Sequence, residues 1–132
     1  MNPTFWTLPD FLIEEFPELR ADIEEEYFFH AQYGKNPYPH SFLENELLPI
    51  LRGERGELSA KRAGEILDNL LTSQDDDLAG AALTSVVEML ADEATIRSEV
   101  WPALGPTARE WVNRLVRDSE ARKSRKDHEP KP

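Results

Sequence analysis

Apolar positions along this chain recur at helical spacing from end to end, and no stretch alternates with the period of two that a half-buried strand requires. Thr7, with Asp10 three residues on, marks a helix start; Pro9 suits the first turn, and the pattern carries to about Phe16. Pro17 opens a second helix, expected over 17–33 and ended by Gly34. Asn36 and Tyr38 each precede a proline and are pushed toward extended backbone, so "KNPYP" is a connection. Ser41 and Glu44 have capping-box spacing and predict a third helix from Ser41 to about Arg52, kinked or cut short by Pro49. A fourth helix is expected from Ser59 to Thr72, with Ala63, Ile66, Leu67, Leu70 and Leu71 on one face. A fifth runs from about 75 to 91, with the acids of "QDDD" at its positive end. Its apolar stripe (Leu78, Ala79, Ala82, Leu83, Val86, Val87, Met89, Leu90) is wide enough to predict neighbours on two sides. "EATIRSEVWPAL" predicts a short sixth helix, and Pro106 opens the last, with Ala108, Trp111, Val112, Leu115 and Val116 inward.

The expected fold class is all-α: a compact antiparallel helical bundle, or a short HEAT-like stack, of six to seven helices. Residues 60–91 read as a helix pair of the HEAT kind, but no period of about 40 residues runs through the chain. Residues 1–118 form the expected single helical domain. Residues 119–132 are polar, poor in apolar side chains, and expected to fray into a disordered basic tail.

Composition narrows the function classes. With 132 residues, 39% of them hydrophobic, the chain is long enough to bury one core. Cysteine is absent, which excludes disulfides, thiolate zinc sites and cysteine nucleophiles and suits the expected cytoplasmic location. The start lacks a basic n-region, so no signal peptide is expected, and no apolar run approaches the roughly 20 residues of a membrane span. Residues 1–101 carry 21 acids and 7 bases, a net −14, while residues 102–132 carry 5 acids and 8 bases, a net +3. Residues 1–33 alone hold 8 acids against Arg20, a net −7. Such a body repels nucleic acid and anionic membranes and attracts basic proteins. The cations from Arg109 to Lys126 lack a recognition-helix signature, and those late in the last helix complement its dipole. Neither a nucleic-acid nor a membrane partner is expected.

Catalytic motifs are missing: there is no Gly-rich phosphate loop, HExxH, EF-hand loop or GxSxG elbow. "QDDDLAG" lacks the alternate spacing and distal glutamate of a calcium loop. His30 and His40 straddle a turn beside aromatics, where a histidine is more often packed than a ligand or base. No enzymatic activity, metal or cofactor is expected.

A helical wheel at about 100° per residue divides the second helix. Phe16, Leu19, Ile23, Tyr27 and His30 share one face, the expected core stripe. Glu18, Asp22, Glu25 and Phe29 share nearly the opposite face, and Phe28 lies apart from both. Two readings follow. Either Phe28 and Phe29 pack under the N-terminal helix with Phe5 and Trp6, or Phe29 stands exposed at the end of an acidic stripe and anchors a partner. On helix five, Gly80, Ala81, Thr84 and Glu88 fall on the non-core face, as ordinary exposed helix or as a shallow groove lined by Glu88. The candidate partner-binding residues are therefore Glu18, Asp22, Glu25 and Phe29, the turn from Tyr38 to His40, and Asp76, Asp77 and Glu88 around helix five.

"FPELRADIEEE", "NPYPHSFLENELLPIL", "ILDNLLTSQDDDLAGAALTSVVEML" and "LGPTAREWVNRL" together resemble a group of small acidic all-helical bacterial immunity proteins of polymorphic toxin systems. The resemblance is one of layout and phrase over roughly residues 8–117 and assigns no binding residues. It implies a protein that binds a cognate, basic toxin domain and occludes its active site. The alternative is a non-catalytic HEAT-like adaptor or assembly protein that binds some other basic partner.

Overall fold

The computed structural model describes residues 2–128, and among them the chain is entirely helical, without strands. Seven helices follow in order. They are α1 (Leu8–Glu15), α2 (Arg20–Ala31, entered through a 3-10 turn at Pro17–Leu19), α3 (39–51), α4 (Ala60–Leu71), α5 (76–92), α6 (Ala94–Val100) and α7 (Pro106–His128). One core runs through α1, α3, α4, α5 and the first turns of α7, with Phe42, Leu67, Val86 and Val112 fully buried. A compact helical bundle or stack is the architecture the apolar pattern requires.

Two of the helices are not plain α-helices. α3 contains a π turn at Leu43–Leu47 and α5 another at Leu83–Val87, and the two turns pack against each other. In α3 the cause is Pro49. It has no N–H, and its ring collides with the carbonyl four residues back unless the turn before it widens. The chain stays helical through Pro49 to Leu51, with the π turn as the irregularity before the proline. α3 also begins at Pro39 rather than Ser41, because a proline with its fixed φ makes a good first helical residue. Ser41 thus lies inside the helix and caps nothing.

The π turns change which residues face inward. Leu78, Ala82, Val86 and Leu90 are all fully buried, at intervals of four. Twelve residues at about 100° each overshoot three turns by about 120°, and one extra residue in a turn takes back about 100° of it. The same reset keeps Pro39, Leu43, Leu47 and Leu51 in line on α3. Ala81 and Ser85 are buried as well, which corrects the placement of Ala81 on the non-core face.

Close approaches fix α4 against the C-terminal elements. At Gly64 a Cβ would overlap the Ala103 carbonyl oxygen, so only glycine lets α4 meet the 101–103 turn. The Asp68 carboxylate accepts the Ala108 amide at 2.9 Å and the Thr107 amide at 3.3 Å, capping α7 from another helix. Ser59 caps α4 in the expected way, accepting the Arg62 amide at 3.1 Å. Thr7 does occupy the N-cap position of α1, but its hydroxyl accepts the Thr4 amide instead of one from its own helix. α7 continues to His128, past the expected end of order, because residues 117–128 are mostly good helix formers with no glycine or proline. Residues 129–132 of the expected tail lie outside the described residues.

Candidate functional site

α2 is the least integrated helix. Of its twelve residues only Ile23 is buried. Phe16, Leu19 and Ile23 of the expected core stripe are buried, but Tyr27 is 39% exposed, its ring tilted beside Phe42, and His30 is half-buried. The wheel assumes that a helix buries its most apolar face along its whole length. α2 instead buries Ile23, keeps Glu26, Tyr27 and His30 against α3, and leaves Phe28 and Phe29 in water. Phe28 is 69% exposed and Phe29 56%, so neither packs under α1. Phe5 is partly buried against the core, edge-on to Trp6 and to His40.

The exposed large hydrophobic side chains among the described residues are Trp6, Tyr27, Phe28, Phe29, Tyr33 and Tyr38, all within the first third of the chain. They fall into two patches. On α2, the Phe29 ring stands edge-on to His30 at 5.6 Å and to Tyr33 at 5.5 Å. Gly34, at φ +66°, then ends the helix in a conformation that other residues resist. The second patch joins Trp6 to Tyr38 at 6.3 Å, with Phe5 and His40 beneath. Its backbone is tied to the start of α5, where Asp75 accepts the Phe5 amide at 2.8 Å. That bond, with those from the Leu78 and Asp77 amides, holds the Asp75 carboxyl below the usual range.

Asp22, Glu25 and Phe29 come together as the wheel expects. With Glu26 and His30 of α2, and Ser41, Asn45 and Glu46 of α3, they line a shallow depression of about 470 Å³. Arg55, in the loop after α3, pairs with Asp22 at 3.1 Å. Glu46 is the residue that sequence reasoning missed. It is only 6% exposed, on the inward side of α3 within the π turn. Burial and the neighbouring charges of Asp22 and Glu26 push its carboxyl up to about 7, against a smaller opposing pull from Arg55. Glu26 is raised too, chiefly by burial, while His30, Asn45 and Ser41 favour its ionised form. The one available signal was spacing: Glu46 lies four residues from both Phe42 and Ile50.

The other candidates lie elsewhere. Glu18 is exposed in the 3-10 turn before α2. Tyr38 and His40 belong to the Trp6 patch. Asp76 and Asp77 are exposed in the first turn of α5, beside the Asp75 cap. Glu88 lines a separate cleft with Ala91 and Asp92 of α5 and Leu115, Ser119 and Arg122 of α7. Gly80 and Thr84, its expected companions, are exposed on α5 and take no part in it.

Among the described residues no group of three or more His, Cys, Asp or Glu side chains could hold a metal ion, and no helix is long and apolar enough to cross a membrane. The arrangement presents aromatic rings for contact and carboxylates for cations.

Comparison with known families gives one match. The model of a domain of unknown function, DUF7674, matches residues 9–118, and the chain belongs to that family. No curated protein matches, and no solved structure matches.

Proposed function

We propose that this DUF7674 protein is a non-catalytic binding protein that seats a basic protein partner on the aromatic and acidic face of α2. We further propose that the partner is a toxin domain whose active site the protein covers, as an immunity protein does. The supporting observation is the exposure of Phe28 and Phe29 on a helix that buries one residue. Large rings left in water on a weakly docked helix favour a surface completed by another chain. Flanking carboxylates, in a segment of net charge −7, speed the capture of a basic partner.

The reading is tested by co-expressing the full chain with the toxin domain encoded beside its gene and purifying through a tag on the toxin. A stable complex with suppressed toxin activity supports it. Absence of a complex under mild salt contradicts it, and a stable complex with a basic protein that is no toxin transfers the reading to an adaptor.

A further inference from the structure

We infer that the depression beside Glu46 is a socket for one arginine side chain of the partner, its guanidinium held by Asp22, Glu26 and Glu46 and laid against the Phe29 ring. The inference rests on the proposed function and names the contact by which that partner is gripped.

Three observations carry it. First, Glu46 is more than nine-tenths buried, lines the depression, and makes no hydrogen bond or ion pair with any described residue. Its carboxyl oxygens are not among the buried unpartnered atoms, so they reach the depression, where a cation entering from the open side can pair with them. Secondly, the charge around it is unbalanced. Asp22, Glu25, Glu26 and Glu46 face a single cation, Arg55, with His30 beside Glu26. The π turn of α5 packed against the Glu46 turn is Leu-Thr-Ser-Val-Val and supplies no charge. Arg55 does not fill the gap, because its hydrogen bonds go to Asp22 and Glu57. Thirdly, the lining that carries the carboxylates also carries an exposed ring, Phe29. A planar guanidinium forks to carboxylates and stacks on an aromatic face at once, whereas an ammonium group does only the first well.

Occupancy changes protonation. Because Glu46 titrates near 7, a guanidinium that needs its ionised form displaces a proton on entry at neutral pH. The experiment is an NMR titration of the side-chain carboxyls of the full chain at constant ionic strength. N-acetyl-arginine amide is the probe, with N-acetyl-citrulline amide as its neutral isostere and N-acetyl-lysine amide as the rival cation. The arginine probe is expected to lower the Glu46 midpoint by about half a pH unit or more and to shift the Phe29 ring signals. Citrulline should do neither, and lysine should act several-fold more weakly. Glu46→Gln should abolish the probe's effect on Asp22 and Glu26. Equal effects of arginine and citrulline, or an arginine effect that survives Glu46→Gln, overturn the socket; equal effects of arginine and lysine overturn its selectivity for guanidinium. If the probe is inert while the tagged toxin still captures the protein, the socket falls and the proposed function stands. If the probe binds and no toxin is captured, the reverse holds.

Discussion

Arg55 donates to the Asp22 carboxylate across 3.1 Å and so ties the loop after α3 to a helix that is otherwise held by little more than Ile23. Asp22 is half exposed and Arg55 about a third, so solvent holds the pair to at most about 1 kcal/mol. Arg55→Ala should therefore lower stability in urea by no more than about 1 kcal/mol. Its larger effect should be electrostatic. Arg55 is the group that opposes the rise of the Glu46 carboxyl, so its removal should move the Glu46 midpoint above about 7. A carboxyl NMR titration reads this directly, and a lower midpoint in the variant contradicts the arrangement.

Glu46 makes the fold weaker as pH rises. Its folded-state carboxyl titrates at about 7 against an ordinary value of 4.5. Below 4.5 both states are protonated. Between the two values the unfolded chain releases the proton while the folded chain keeps it, so stability falls, and above about 7 the cost is complete. The gap corresponds to about 3 kcal/mol as an upper figure. Glu46→Gln, which cannot ionise, should match the parent near pH 4.5 and exceed it by up to that amount at pH 8. Asp75, held low chiefly by the Phe5 amide, and Glu57, held low chiefly by its own backbone amide, act in the opposite sense at the acid end. The difference between variant and parent across pH, rather than either curve, isolates Glu46. A flat difference contradicts the burial of an ionisable Glu46.

Two glycines inside helices should respond to alanine with opposite signs. Propensity alone favours alanine at both by about 1 kcal/mol. At Gly80 the added methyl meets open space, so Gly80→Ala should stabilise by about 0.5–1 kcal/mol. At Gly64 it overlaps the backbone oxygen of Ala103, which cannot swing aside, so Gly64→Ala should destabilise by about 2 kcal/mol. Thermal melts of the two variants check the packing of α4 on the 101–103 turn. A stabilised Gly64→Ala contradicts that packing.

The parts of this architecture that were readable in the sequence are those built from single-residue rules. Ser59 caps α4, Gly34 ends α2, Pro106 opens α7, and Ala63, Ile66, Leu67 and Leu70 are buried together on one helix face. What escaped is of two kinds. Glu46, Ala81 and Ser85 lie on the buried faces of α3 and α5 at ordinary helical spacing from Phe42 and Leu78, and were passed over because a carboxylate, a methyl and a hydroxyl do not mark a core. Tyr27 escaped for another reason: amphipathic pattern says which face of α2 is more apolar, not how far along its length a neighbour reaches. The grouping of Asp22, Glu25 and Phe29 was legible because all three lie on one stripe of one helix. Their joining with Glu46 was not, since it depends on how α2 and α3 meet.

The claim that the α2 face grips a basic toxin domain is tested most directly by growth. Cells expressing the toxin encoded beside the gene are compared when they carry the parent protein, Phe29→Ala with Glu25→Lys, or Glu88→Lys. Loss of a ring at the centre of an interface costs on the order of 2 kcal/mol, and the charge reversal slows capture in a salt-dependent way. The account predicts growth with the parent protein and with Glu88→Lys, and arrest with the α2 double variant at matched protein levels. Arrest with the parent protein, or equal growth with the α2 double variant, contradicts it.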